Sequence, residues 1–208
     1  MECKGHRVVF SIDPGFGGTG ICMFVNKELY KFANVKTSKD STERYVDVAS
    51  KCAQHALAWL SDLTASATCR EETYISYVDI VIESPHAMGG VKGNASLARG
   101  DVFKVAKLAG AIGVVMYLYI QNHLDTQYCV FKANEAAYQL ALYYPEVRTW
   151  KGQVSKETTQ RRVLRDIKYA HRYIKDKRYK LDPKYPDHVF DAAGIGLWFI
   201  NETVMGDK

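Results

Sequence analysis

Residues 6–35, HRVVFSIDPGFGGTGICMFVNKELYKFANV, decide the fold. The first eight alternate and are rich in β-branched residues, so residues 6–13 predict a strand, and Pro14-Gly15 then turns the chain. Residues 20–25 predict a second strand that closes a hairpin, and residues 28–35 a third, giving an antiparallel meander.

Beyond the meander the pattern changes to alternating helix and strand. Residues 41–64 predict a helix, with Asp40 and Glu43 at capping-box spacing and Val46, Ala49, Cys52, Ala53, Ala56, Leu57 and Leu60 recurring on one face. Residues 77–83, YVDIVIE, read as a short apolar strand ending in an acid, followed by the loop SPHAMGGVKGN and a helix over residues 95–121. A strand is expected over residues 127–132, a short helix over 135–143, a basic helix over 155–174 and a last helix over 187–202, started by Pro183 and Pro186. The implied class is α/β: one domain over residues 1–208, with a mixed five-stranded sheet, three antiparallel strands then parallel ones, flanked by helices.

Composition narrows the class. Hydrophobic residues are 47% and charged residues 25% of the 208, proportions that exclude a disordered or fibrous chain. The cysteines Cys3, Cys22, Cys52, Cys69 and Cys129 are odd in number and contain no CxxC pair, which argues against a disulfide framework or zinc knuckle and suits a reducing cytosol. MECKGHR at the N-terminus lacks the features of a signal peptide. The longest apolar run, residues 108–120, is shorter than the ~18–20 residues that cross a bilayer, so a cytoplasmic protein with no membrane partner is expected. Within that run Ala109, Gly110, Ala111 and Gly113 allow another helix to approach closely, in the core or at a subunit interface.

The net charge of +5 is unevenly placed. Residues 161–184 hold ten Lys/Arg against three Asp, so the rest of the chain is net acidic. Tyr169, Tyr173 and Tyr179 are interleaved there and Tyr185 follows, a mixture suited to neutralising phosphates and stacking on bases, or equally to a solvated helix face.

Asp13 and Glu83 each close an apolar strand, and neighbouring strands in a sheet lie only ~5 Å apart. Two carboxylates so placed repel unless a cation neutralises them, and hard divalent ions take such oxygen ligands. Asp-Pro-Gly is also an ordinary turn sequence, whereas Glu83 stands where an apolar or turn residue is commoner. A third contribution comes from PDHVFDAAGIGLWFI, where Asp187 or His188 shares a helix face with Asp191. Asp187 is also explained as a helix cap; Asp191, between Phe190 and Ala192, is less easily so.

IDPG with its Gly-rich strand, IE ending a later strand, HxxDA opening the last helix, and Lys156, Gln160 and Val163 in SKETTQRRV together resemble the RuvC-like Holliday junction resolvases of the RNase H-like superfamily. The resemblance spans most of the chain in order. It implies an RNase H-like fold, two Mg²⁺ or Mn²⁺ ions per active site held by Asp13, Glu83, His188 and Asp191, with Asp187 a further candidate, and Lys156 near a DNA phosphate. It also implies a homodimer acting on branched, four-way DNA, with residues 108–120 at the interface. His86 and Met88 stand where the family carries a residue that probes the junction core. Lys92 in the same loop, Arg99, Lys151 in Trp150-Lys151-Gly152, and Arg161 and Arg162 are further candidate DNA contacts. Against the compact bacterial members that the chain resembles, the stretch between Thr126 and Tyr185 is longer and more basic, which is compatible with a phage or mobile-element version and a nucleoid-associated place in the cell.

Three rivals remain at this level. IDPGFGGTG also resembles the phosphate loop of actin-like and sugar-kinase ATPases, but those need two such domains and 208 residues supply one. Another RNase H-like nuclease, acting on flapped DNA or RNA-containing substrates, would use the same metal chemistry. A catalytically inactive nucleic-acid-binding module would not need the carboxylates.

Overall fold

The computed structural model describes residues 5–15, 17–36, 44–67, 74–85, 100–131, 138–152, 156–166 and 187–204. The meander forms as expected: β1 (Gly5–Asp13), β2 (Thr19–Val25) and β3 (Glu28–Val35) pair antiparallel in sequence. Asn26 and Lys27 join β2 to β3 with φ of 48° and 77°, the left-handed pair of a two-residue hairpin whose twist matches its strands. The helix α1 (Arg44–Ala67) then crosses to β4 (Tyr74–Ile82), which runs parallel to β1. A second helix, α2 (Asp101–Phe131), crosses to β5 (Gln139–Tyr143), parallel to β4. Strand order is β3-β2-β1-β4-β5, a mixed sheet. The chain continues through α3 (Val147–Lys151), α4 (Lys156–Asp166) and α5 (Asp187–Phe199), ending in a π-helical turn, Ile200–Val204.

Strand alternation divides the interior between the two faces of the sheet. Val8, Phe10, Ile12, Ile21, Met23, Ile80 and Ile82 pack against α1 and α2. Val9, Cys22, Phe24 and Val81 pack against α5, Trp150 and Val163. On α1 the buried positions include Val48, Ala49, Cys52, Ala53, Ala56 and Leu60. Val46, expected on that face, is 62% exposed, because the stripe runs through Val48 instead.

Two expectations between residues 127 and 143 are corrected. Residues 127–131 continue α2 rather than forming a strand: once a helix is propagating, each further residue adds a hydrogen bond without a new nucleus, which outweighs the modest strand preference of Tyr, Val and Phe. Residues 139–143, within the stretch 135–143 expected to be a short helix, form β5, because the open edge of β4 offers a ladder from Tyr77↔Gln139 to Val81↔Tyr143. Over residues 101–126 helix α2 is long and apolar enough, by length and composition, to cross a bilayer, although the apolar run 108–120 alone was too short. It lies along α1 instead, burying Leu108, Ile112, Met116, Ile120 and Leu124.

Two of the four small residues in the 108–120 run of α2, Ala109 and Gly113, are used inside the fold, while Gly110 faces open space. Ala109 is buried, and a Cβ on Gly113 would run into the Tyr144 hydroxyl. The outward stripe is Phe103, Val114 and Leu118, each more than half exposed. The capping pair Asp40 and Glu43 and most of the basic, Tyr-bearing segment lie outside the described residues.

Candidate active site

Parallel pairing of β1 with β4 puts Ile12 opposite Ile82, and the Glu83 amide donates to the Ile12 carbonyl at 2.9 Å. Asp13 and Glu83 thus leave the sheet side by side at the carboxyl ends of adjacent parallel strands, where loops carry chemistry on such sheets. Alternation turns Asp13 to the α5 side, the side of Val9 and Cys22.

Small residues let α5 come down on the meander. A Cβ on Gly20 would run into the backbone carbonyl of His188, one on Gly15 into its imidazole, and one on Gly196 into Phe24 and Ser11. With Ala192 and Ala193 also buried, the start of α5 reaches Asp13. His188 Nδ1 lies 2.6 Å from Asp13 Oδ2. Asp191, one turn on, meets the Lys151 ammonium at 3.1 Å, both side chains being mostly buried. Asp187 turns outward, where Gln160 of α4 donates to its carboxylate at 3.2 Å. The two neighbours therefore part company: His188 belongs to the Asp13 cluster, and Asp187 to the contact between α4 and α5.

Two further side chains enter from α3, and their partners are too distant in sequence for any local pattern to reveal. The Trp150 indole N–H donates to Glu83 Oε2 at 3.0 Å, and Lys151 holds Asp191 rather than reaching into solvent. Arg161 and Arg162 on α4 are exposed. Lys156 begins the same helix. His86, Met88, Lys92 and Arg99 lie outside the described residues.

Burial makes the cluster electrostatically strained. Desolvation, chiefly, raises the Asp13 carboxyl above its ordinary range; Asp191 adds to this, while His188 and Lys151 oppose it. Glu83 is pushed up to about 8, first by burial, then by the charges of Asp13 and Asp191, against the pull of Trp150 and Lys151. Three carboxylates with one close ammonium match a hard divalent ion in donor chemistry. Among the described residues no three such donors are already gathered around one point.

The Glu83 shift predicts the pH dependence of stability without metal. A carboxyl whose folded pKa is raised holds its proton more tightly when folded, so its stabilisation is full below the unfolded value of 4.5 and lost as pH rises towards about 8. In EDTA, the melting temperature should fall across that interval. Glu83→Gln should flatten the fall and melt a few degrees higher than the parent at alkaline pH, by roughly the scale of a 1 kcal/mol change. A scan at several pH values with parent and variant parallel throughout would refute this origin of the strain.

No protein-family model matches the sequence, and no curated protein sequence is significantly similar to it. The sheet order, the crossover helices and the α5 packing define an RNase H-like fold, in the form found in the RuvC resolvases. A structure of RuvC from Thermus thermophilus is similar over 96% of this chain and 97% of its own, with a TM-score of 0.52 and 16% identity. RuvC from the same organism in complex with a Holliday junction substrate is similar over 97% of both chains, with a TM-score of 0.56 and 18% identity.

Proposed function

We propose that this protein is a divalent-metal-dependent endodeoxyribonuclease that resolves four-way DNA junctions as a homodimer. The observation that carries the reading is the meeting of Asp13 and Glu83 at adjacent strand ends with His188 and Asp191 of α5. Support comes from the fold shared with a RuvC bound to a Holliday junction substrate.

On this reading Asp13, Glu83 and Asp191 hold Mg²⁺ or Mn²⁺, with His188 as the fourth ligand. Asp187 ranks below it because its carboxylate faces Gln160 and solvent. Divalent ions held there would supply Lewis-acid stabilisation of the phosphodiester and of the leaving 3′ oxygen. The chain does the rest. Burial of Asp13 keeps bulk water from its carboxylate, and His188 orients that carboxylate through Nδ1. The Lys151 ammonium, paired with Asp191 at 3.1 Å, places positive charge beside the cluster that would help balance charge developing on a phosphate. The exposed Arg161 and Arg162, with Lys156 on the same helix, supply backbone contacts to DNA, and residues 86, 88, 92 and 99 are assigned to the junction side on the resemblance.

Resolution needs two centres facing two strands, which a twofold dimer provides. The outward stripe of α2, Phe103, Val114 and Leu118, is the apolar surface suited to that contact.

The test incubates the protein with a four-way junction, a flap, an RNA·DNA hybrid and linear duplex, with Mg²⁺ or Mn²⁺. Paired symmetric nicks confined to the junction are expected, with a solution mass twice the 23.5 kDa of the chain. Equal cutting of all substrates would remove junction selectivity, cutting of the hybrid or flap alone would give the sister nuclease reading, and binding without cutting would make the protein a recognition module.

A further inference from the structure

Helix α3 has five residues, and two of them reach the carboxylates. Besides the Trp150 bond to Glu83 at 3.0 Å, the Lys151 ammonium lies 5.3 Å from the centre of the Trp150 ring while contacting Asp191. The helix is tied to the strand that carries Glu83: the Ser84 amide donates to the Pro145 carbonyl at 2.8 Å, and Ser84 bridges to Glu146. On its other side the indole is wedged against α5, where a Cβ on Gly194 would sit 2.7 Å from Trp150 Cζ3. Only 9% of Trp150 is exposed, so the indole cannot swing away. A glutamate just past a strand end has three side-chain torsions to fix. One N–H donor fixes one oxygen and leaves the other free.

We propose that Trp150 is a positioning residue of this centre: its N–H holds one oxygen of Glu83 so that the other faces a divalent ion, and its ring carries Lys151 to Asp191. The proposal rests on the nuclease reading. Hydrogen-bond partners of ligating carboxylates typically govern metal affinity by about 10- to 100-fold.

Trp150→Phe keeps an aromatic ring beside Lys151, gives up part of the indole packed on Gly194, and deletes the N–H. Calorimetric titration of the DNA-free protein with Mn²⁺ should show affinity weakened about 10-fold or more, in a protein that still unfolds cooperatively in EDTA at a melting temperature a few degrees below that of the parent. In the ¹H–¹⁵N spectrum of the parent, the Trp150 indole resonance should shift on addition of Mg²⁺, and those of Trp59 and Trp198 should not. Unchanged Mn²⁺ affinity in Trp150→Phe, or a Trp150 resonance indifferent to Mg²⁺, overturns the proposal and leaves the nuclease reading standing. If Trp150→Phe does not fold, Trp59→Phe and Trp198→Phe assign the third resonance by elimination, and the Mg²⁺ shift decides. A parent protein that binds no Mn²⁺ and cuts no substrate overturns both.

Discussion

Replacing Asp13 with Asn is expected to lower Mg²⁺-dependent junction cleavage by at least about a thousandfold while junction binding persists or tightens. The amide keeps the size of the side chain and its packing but loses the charge that would hold a cation. It also removes one of the negative charges that push Glu83 upward, so the variant should be no less stable than the parent in EDTA. Binding should persist because the substitution leaves the backbone contacts assigned to α4 untouched, and loss of a carboxylate near a phosphate removes repulsion. Glu83→Gln should behave alike. The measurement is a gel-shift titration beside a cleavage time course on the same junction; binding lost in proportion to cleavage would mean that these acids hold the fold together and do no chemistry.

Gly20→Ala should cost about a hundredfold in activity through a different route. The added methyl has no room, since its nearest neighbours are backbone atoms of His188 and Val189 that cannot rotate away. The start of α5 must lift off β2, which carries His188 away from Asp13 and shifts Asp191 with it. Overpacking of this kind costs about 1–3 kcal/mol. A displacement of about 1 Å at a catalytic group can cost about a hundredfold in rate. Gly17→Ala is the control, because a Cβ there meets nothing. A Gly20→Ala protein with parental melting temperature and cleavage would show that α5 has slack, and the account of how His188 reaches Asp13 would fail.

Much of the fold was legible because the decisive signals are local. Residues 6–35 alternate between turns, so the pattern alone specifies the meander, and the apolar run ending in Glu83 specifies a buried strand. Residues 127–143 were misread for a reason that no local pattern removes. QYCVF and QLALY are both short and apolar, and which one becomes the strand depends on how far α2 propagates and on the free edge of β4.

The sequence by itself determined the α/β class and named Asp13, Glu83, His188 and Asp191 as acids and imidazole at the ends of elements. Only the tertiary structure decided which of two adjacent residues, Asp187 or His188, meets Asp13, and which of the aromatic and basic side chains engage the carboxylates. Neighbours on a helix point about 100° apart, and their facing depends on how the helix is rotated against the sheet. That rotation is set by where glycines such as Gly20 and Gly196 permit contact, across more than 160 residues of chain. Trp150 and Lys151 likewise acquire their partners only when β5 places α3 beside β4, so no spacing along the chain could announce them.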